Sequence, residues 1–454
     1  MTLELAVVCN SFGMGGTAKA AVTYALQHDR SRVNPRAVAL SEPGERAREL
    51  EAGDIEVLCA RDDPGRLAQL LRGVDVVHVH RGGLAEPIVP GACRAAGIQA
   101  LIETNVFGLR DTSPDNERFS AHLLISQMCA MRYREQAGLD LETFNRRHRT
   151  LYYPVDVDGL RAAAIPRAEA HATLGLDPDR PTVVRVGRDD DRKWGDILIA
   201  MVPQLLALVP DVQIVFVGAT AHRRDQLRRL GALDRVRCVA ASSDARRVAA
   251  FYSAADVFAS ASSIGESFGL AIAEAMALGV PVVTSSTPWT DNAQVEVLDN
   301  GVNGWVANHP RVFAEAIADL LGDERRRRAF GAAAAEKVAT SWHPAILTRE
   351  LERLFEAVAA TGLPPAAWTP TLAQQAAFEA EYPQRSAAQF RALSALEQRE
   401  AVRAVRRERI GWAWRDLRSH PLRDGRRLAG LALARVAARH RAPLPPTAPG
   451  SSGI

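Results

Sequence analysis

The sequence predicts an α/β protein with two doubly wound domains that face each other across a cleft, followed by a basic helical tail. Short β-branched runs such as LELAVVCN and DVVHVH alternate with helical patterns such as GTAKAAVTYALQ, which is typical of a parallel sheet with crossover helices. The alternation starts again at PTVVRVG and continues to VPVVTSS. Because each series builds one sheet, the 454-residue chain is expected to form two.

The restart of the pattern sets the predicted domain bounds. We expect the first domain over residues 1–165, the second over residues 166–340 and a further helix over residues 341–360. Residues 361–454 are expected to hold a proline-containing linker, TGLPPAAWTPT, a basic helical tail and a disordered end, APLPPTAPGSSGI. Ligands of doubly wound sheets bind beyond the carboxyl ends of the strands, so the cleft is the expected site.

The start of the chain and its cysteines indicate a compartment. The segment MTLELAVVCNSFGMGG lacks the basic residues of a signal peptide, and no apolar run approaches the roughly 18 residues of a membrane span. The five cysteines are scattered and form no CxxC pair, which argues against a disulfide framework or a zinc site. We therefore expect a cytoplasmic protein.

The tail carries a strong positive charge. Residues 401–441 contain twelve arginines against three acidic residues, a net charge of +9. Trp412 and Trp414 lie among these arginines, but nothing resembles a nucleic-acid-binding module, so no nucleic-acid partner is expected. Two interpretations stay open: contact with an anionic membrane surface, peripheral to the inner face of the cell membrane, or a solvated basic helix pair, because the segment lacks a clean apolar stripe.

Two cations follow the first strand of the second series. PTVVRVG ends at Gly187, Arg188 comes next, and Lys193 follows in GRDDDRKWG. Only three of the 56 basic residues are lysines, which makes this lysine notable. Fixed cations at the end of a strand can neutralise the charge that grows on a departing diphosphate. Residues 189–191 are three aspartates that could hold a divalent metal, but the flanking cations favour an ion-paired loop, so no metal is expected.

The most informative stretch is ADVFASASSIGESFGLAIAEAMALGVPVV, which predicts a strand, a small-residue loop, a helix and a strand. Phe268, Gly269 and Leu270 fall at the start of the helix, where free backbone N–H groups attract phosphate. Glu274 lies about one turn further on, within reach of ribose hydroxyls, and Glu266 in the loop is placed to meet a sugar.

The segment G-E-S-F-G-L-x(3)-E-A-M-A-x-G-x-P-V-V resembles the signature of glycosyltransferase family 4, the retaining enzymes of the GT-B architecture with two Rossmann-like domains. The resemblance covers most of residues 1–358, including NSFGMGGTAKAA, VEVLDNGVNGW and TSWHP, which would begin a helix that crosses back to the first domain. It implies metal-independent transfer from a nucleoside-diphosphate sugar, with no cofactor, to a sugar, lipid or small-molecule acceptor. The product would be an envelope glycan, a glycolipid or a secondary metabolite.

The resemblance also implies roles for individual residues. Glu266 would contact the donor sugar, Glu274 the ribose, and Arg188 and Lys193 the diphosphate. The expected catalytic residues are Arg188, Lys193, Glu266 and Asn105, and the expected donor-binding residues are Gly15, Gly16, Gly187, Ser267, Phe268, Gly269, Leu270 and Glu274.

Three segments depart from the family pattern. ALIETNVFG has Asn105 where many members have a histidine, and we expect this residue to face the donor and hold a sugar hydroxyl. The linker reads YYPVDVD, and the loop TPWTDNAQVE retains Glu296 but adds Trp289, Asp291 and Asn292. The alternatives are a non-catalytic nucleotide-sugar-binding or scaffold protein of the same fold, and a GT-B epimerase or phosphorylase. The base, donor sugar, acceptor, linkage and oligomeric state stay open.

Overall fold

The structure, a computed structural model, describes residues 2–419, with side chains for residues 2–411. The described chain up to Gln398 forms one compact unit. The predicted disordered end, the arginines beyond residue 419 and the side chains of Trp412 and Trp414 lie outside the described residues.

The first sheet has seven parallel strands in the order β3-β2-β1-β4-β5-β6-β7. These strands are β1 (Leu3–Ser11), β2 (Val33–Glu42), β3 (Val57–Cys59), β4 (Val76–Arg81), β5 (Ala100–Asn105), β6 (Ala121–Leu124) and β7 (His148–Thr150). The helices of this half are α1 (Gly16–Gln27), α2 (Ala47–Ala52), α3 (Pro64–Leu70), α4 (Ile88–Ala96), α5 (Gln127–Ala137) and α6 (Leu141–Phe144). Helix α7 (Val157–Ala163) follows β7 and leads into the second half.

The second sheet has six parallel strands in the order β10-β9-β8-β11-β12-β13. They are β8 (Thr182–Val186), β9 (Gln213–Val217), β10 (Val236–Val239), β11 (Val257–Ser260), β12 (Val282–Thr284) and β13 (Gly304–Val306). The helices of this half are α8 (Arg167–Leu174), α9 (Asp196–Leu208), α10 (Ala221–Arg229), α11 (Ala245–Ser253), α12 (Leu270–Ala277), α13 (Gln294–Val297), α14 (Pro310–Gly322) and α15 (Glu324–Ser341). The predicted α/β class with two parallel sheets is confirmed.

The central strand β1 shows why the two faces of the sheet are covered. Successive side chains of a strand point to opposite faces. Leu5 and Val7 belong to one buried cluster, whereas Ala6 and Val8 belong to another. A continuous apolar run is therefore buried on both sides, as a parallel sheet requires.

Two helices follow the second sheet. Helix α16 (Pro344–Thr361) packs against α1 of the first half, where Glu352 accepts a hydrogen bond from Arg32 at 3.0 Å. Helix α17 (Leu372–Ala387) comes next, and α18 (Ala395–Ser419) ends the described chain. Among the described residues, no helix is both long enough and apolar enough to cross a membrane.

Residues 362–398, which we call the strap, join both halves of the compact unit. Its first part binds the first sheet, where the indole Nε1 of Trp368 donates to the Thr150 carbonyl at 2.9 Å. Its last part binds the second half, where the backbone N–H of Phe390 donates to the Val306 carbonyl at 2.7 Å. The predicted linker TGLPPAAWTPT connects α16 to α17 and has no helix or strand over residues 362–371, and Trp368 within it is buried and hydrogen-bonded.

Candidate functional site

A cavity of about 420 Å³ opens between the carboxyl ends of the two sheets. Residues of both halves line it, among them Lys19, Arg185, Asp291 and all the predicted site residues except Asn105: Gly15, Gly16, Gly187, Arg188, Lys193, Glu266, Ser267, Phe268, Gly269, Leu270 and Glu274. A second cavity, of about 510 Å³, is lined by residues of 165–250 and contains none of the predicted site residues. The first cavity is therefore the candidate site.

Two glycine-containing turns bring the halves together at this cavity. Gly15 precedes α1 in an extended conformation, and a Cβ on Gly16 would lie 4.0 Å from Cδ2 of Leu270 in the other half. Gly269 precedes α12 with a φ of +100°, a left-handed conformation that strains any other residue. The first turns of α1 and α12 therefore border the same space, and both present free backbone N–H groups.

Phe268 fixes the loop that leads into α12. Its ring is buried and contacts Tyr152, Tyr153 and Trp342, at centroid distances of 6.1, 6.0 and 5.3 Å. Aromatic pairs of this kind are each worth about 0.5–1.5 kcal/mol beyond the area that they bury, so they hold the ring of Phe268 in place. The loop that carries Glu266 and Ser267 is thus anchored on residues of the interdomain connections.

Glu274 lies in α12, four residues after the helix begins at Leu270, and it is buried. Its Oε2 accepts a hydrogen bond from the Tyr252 hydroxyl at 2.7 Å, and its Oε1 pairs with Nζ of Lys19 at 2.5 Å. Burial, and then the neighbouring Glu274 charge, raise the pKa of Tyr252 well above its usual value. Tyr252 therefore stays a hydrogen-bond donor that holds the carboxylate in place, and Lys19 reaches it from the first half.

A second lysine–glutamate pair lies in the same cavity. Nζ of Lys193 is 2.9 Å from Oε2 of Glu266. Lys193 ends a short 3₁₀ turn, and the following Trp194 is fully buried, with its Nε1 donating to the Gly218 carbonyl at 3.0 Å. The lysine is thus fixed at its backbone, while the exposed Arg188 lies on the same side of the cavity.

The aspartate triplet makes polar contacts with its neighbours. Asp190 pairs with Arg192 at 3.0 Å, and Asp191 accepts a hydrogen bond from Thr220 at 2.5 Å. In the described part of the chain, no group of three or more His, Cys, Asp or Glu residues is arranged to hold a metal ion.

Asn105 is the one predicted site residue that the structure does not bring to the cavity. It is 0% exposed, and its Nδ2 donates to the Leu109 carbonyl at 2.8 Å and to Glu103 at 3.2 Å. It ends β5 and does not line the cavity, whereas Val106 and Phe107, which follow the strand, do. This corrects the expectation that Asn105 faces the donor: its amide holds the loop that follows β5.

The loop TPWTDNAQVE connects the two halves beside the cavity. Asp291 accepts hydrogen bonds from Ser267 of its own half and from Arg132 of the first half, the latter at 2.5 Å. Glu296 accepts from the backbone N–H groups of Gln127 and Met128, at the start of α5, at 3.0 and 3.2 Å. The loop that departs from the family pattern thus supplies contacts between the halves.

Sequence reasoning missed Lys19, Arg185 and Asp291 as cavity residues. A signal existed for Lys19, because it is one of only three lysines. Arg185 lies within a β-strand and Asp291 within a long loop, and neither position has a local pattern that points to a ligand.

A comparison with protein-family models matches the second half of the chain. A family model described as "Glycosyl transferases group 1" matches residues 166–337. A phosphatidyl-myo-inositol mannosyltransferase of Mycobacterium leprae is 32% identical over 212 residues, which are 46% of this chain and 53% of that protein. A D-inositol 3-phosphate glycosyltransferase of Xylanimonas cellulosilytica is 31% identical over 344 residues, 64% of this chain and 77% of that protein. The chain thus spans about half the length of the first of these relatives and about three quarters of the length of the second.

Solved structures show the same fold. Anabaena HepE, in complex with UDP and glucose, aligns with a TM-score of 0.62 at 19% identity, over 77% of this chain and 98% of its own. A glycosyltransferase from Rickettsia africae aligns with a TM-score of 0.66 at 15% identity, over 79% and 99% of the two chains. The two-sheet architecture is therefore GT-B, and together with the sequence relatives it shows that the chain belongs to the group 1 glycosyl transferases.

Proposed function

We propose that the protein is a retaining glycosyltransferase that moves a sugar from a nucleoside-diphosphate sugar to an acceptor hydroxyl. The observation that carries this proposal is the pairing of Lys193 with Glu266 and of Lys19 with Glu274 inside one cleft cavity. Cations for a diphosphate and carboxylates for sugar hydroxyls are the two chemistries that such a donor needs.

The resemblance to the family supplies the proposed roles. Arg188 and Lys193 bind the diphosphate, Glu274 binds the ribose, and Glu266 binds hydroxyls of the transferred sugar. The bond between the anomeric carbon and the diphosphate oxygen breaks, and the cations stabilise the charge that grows on that oxygen. The acceptor oxygen forms the new bond to the anomeric carbon on the same face, and its proton passes to the departing diphosphate oxygen. No metal takes part in these steps.

A uridine nucleotide is the first donor to test. HepE is described in complex with UDP and with UDP-glucose, and its chain is covered almost completely by the alignment. The base is otherwise open, so GDP, ADP, CMP and dTDP sugars belong in the same screen.

An inositol-containing acceptor is the first acceptor to test. The two sequence relatives are named for phosphatidyl-myo-inositol and for D-inositol 3-phosphate. At the cavity, Phe107 is 43% exposed and Met14 is 40% exposed, which gives the acceptor side an apolar border. A free inositol phosphate and a phosphatidylinositol would separate the two acceptor types.

Ligand-dependent unfolding tests the donor class directly. A nucleotide present at about 100 times its dissociation constant adds about 2.7 kcal/mol to the free energy of unfolding of a protein that binds it only when folded. We expect one nucleoside diphosphate to raise the melting temperature clearly. We also expect the protein to hydrolyse the corresponding nucleoside-diphosphate sugar slowly when no acceptor is present. Binding with no turnover across an acceptor set would instead favour the scaffold alternative.

Substitution of Lys193 tests the catalytic assignment. Lys193→Ala should lower turnover by roughly 10²–10³-fold, as expected for the loss of one preorganised group that stabilises the transition state. Lys337→Ala is the matched control, because Lys337 pairs with Asp299 at 2.7 Å and does not line the cavity. EDTA should leave the rate unchanged, and NMR of the product should show the anomeric configuration of the donor. Wild-type turnover of Lys193→Ala, a strict metal requirement or an inverted product would each contradict the proposal.

A further inference from the structure

Arg185 is a buried cation at the inner wall of the candidate donor cavity. It lies on β8, two residues before Gly187, and is 5% exposed. It lines the cavity together with Arg188, Lys193 and Glu266. Nothing in the sequence motifs of the donor site accounts for an arginine at this position.

The guanidinium of Arg185 is held by backbone carbonyls and by one aromatic ring. It donates to the Lys193 carbonyl and, at 3.4 Å, to the Val217 carbonyl. Its Cζ lies 4.0 Å from the centre of the Trp194 ring. Among the described residues, no carboxylate lies within the 4.0 Å of an ion pair with it.

The backbone around the cavity is fitted to this guanidinium. A Cβ on Gly187 would lie 1.8 Å from Nη1 of Arg185, so a side chain at residue 187 cannot coexist with the arginine in this position. Trp194, on which the arginine stacks, is itself fixed by its hydrogen bond to Gly218. Gly187, Trp194 and Arg185 therefore form one rigid support for the backbone at Lys193.

Charge makes this arrangement informative. A buried guanidinium without a carboxylate partner is costly, because desolvation disfavours its charged form. Burial lowers the pKa of Arg185 to about 10, so the group is still protonated at neutral pH. The charge of Glu266 offsets part of this burial effect, and a dianionic ligand in the adjoining cavity would supply a stronger opposite charge.

We propose that Arg185 is a positioning residue of the donor site, which fixes the backbone of Lys193 and adds a positive charge behind the diphosphate of the nucleoside-diphosphate sugar. This inference rests on the proposed function. It assigns the arginine two separable effects: the charge contributes to nucleotide affinity, and the hydrogen bond to the Lys193 carbonyl contributes to turnover.

Arg149 provides a matched control elsewhere in the fold. It is also buried, it donates to the carbonyls of Asn145, His148 and Pro365, and burial lowers its pKa to about 10. It does not line the cavity. Arg149→Met therefore reproduces the loss of a buried, carbonyl-bound guanidinium without touching the donor site.

The experiment compares Arg185→Met, Arg185→Lys and Arg149→Met by calorimetric titration with UDP and by donor kinetics. If another nucleoside diphosphate stabilises the wild-type protein more than UDP, that one is used. Arg185→Met should raise the Kd about 10- to 100-fold, the range expected for lost interactions of a charged group, and should lower kcat. Arg185→Lys keeps the charge but not the planar stack, so its Kd should stay within a few fold of wild type while kcat falls. Arg149→Met should change neither constant.

The outcomes separate this inference from the function on which it rests. If the wild-type protein binds none of the nucleoside diphosphates, the proposed function fails. If the wild-type protein binds one and Arg185→Met binds it equally well, the role of Arg185 is overturned. Should Arg185→Met not fold, Arg185→Lys decides, because a wild-type kcat in that variant overturns the positioning role.

Discussion

Removing the indole of Trp368 tests whether the strap holds the two halves of the protein together. Trp368 is 8% exposed and lies between α16 and α17, in a segment that composition alone predicts to be a linker. Its ring is buried, and its Nε1 donates to the Thr150 carbonyl on the edge strand β7 at 2.9 Å. The structure therefore predicts that Trp368→Ala is strongly destabilising.

The expected loss follows from these contacts. Truncation of a buried tryptophan to alanine costs about 3–5 kcal/mol through lost burial and the cavity that remains. The Thr150 carbonyl also loses its partner, which adds about 1–3 kcal/mol if no water replaces the indole. The total of about 4–8 kcal/mol is comparable to the whole stability of many domains. Trp368→Phe keeps most of the burial and should lose only the second contribution.

Two truncations extend this test to the whole strap. Ending the chain after Gln398 keeps the strap, whereas ending it after Thr361 removes the strap and its contacts with both sheets. The melting temperature, with and without nucleotide, should be close to that of the full chain for the first form and much lower for the second. Equal melting of the two forms, together with a wild-type melting temperature of Trp368→Ala, would refute the structural role of the strap.

Three further predictions concern Glu274, the buried His80 and the basic tail. Glu274→Gln should raise the nucleotide Kd about tenfold but leave kcat at saturating donor within a few fold, because in the proposed function Glu274 binds the ribose and not the reacting carbon. Calorimetry measures the Kd, and donor kinetics measure kcat. Burial holds the pKa of His80 at about 3, below its unfolded value near 6.5, so the stability contributed by the neutral ring is complete above pH 6.5 and is lost as the pH falls towards 3. The melting temperature should therefore drop below pH 6, and His80→Leu should flatten that drop; an unchanged slope would contradict this. If the basic tail contacts an anionic membrane surface, the full chain should bind anionic vesicles at low salt and a chain that ends after Gln398 should not. No binding by the full chain would favour the solvated helix pair instead.

The regular elements could be predicted because their patterns are local. The helix expected at GTAKAAVTYALQ is observed at those residues, Gly16–Gln27, and the strands expected at PTVVRVG and VPVVTSS are β8 and β12. Each of these elements buries a continuous apolar run or stripe that hydrophobic periodicity reports directly. The prediction of two parallel sheets depended on such elements, and the structure confirms it.

The strap and Asn105 could not be predicted in the same way. The strap is held by single contacts to distant residues, such as Trp368 to Thr150, which leave no periodic pattern in its own sequence. Asn105 was placed by alignment with a family motif, and a shift of one residue along a strand reverses the direction of a side chain. Val106 and Phe107 reach the cavity while Asn105 does not. Motif position alone therefore locates a strand end but not the face on which its last residue lies.

In the proposed function, the cavity binds a diphosphate and sugar hydroxyls, and the lysine–glutamate ion pairs break when they bind. The free-energy cost of breaking such a pair is small. The side chains of Lys193 and Glu266 are 25% and 21% exposed, so their ion pair is partly solvated and contributes only about 0–1 kcal/mol. A diphosphate carries more negative charge than one carboxylate, and it can replace Glu266 as the partner of Lys193 with a net gain. In the proposed function, the freed carboxylate then accepts hydrogen bonds from sugar hydroxyls. Because Arg185 and Trp194 hold the backbone at Lys193, we expect this exchange to need only rotation of side chains. The substitution of Arg185 should therefore affect kcat as well as the nucleotide Kd.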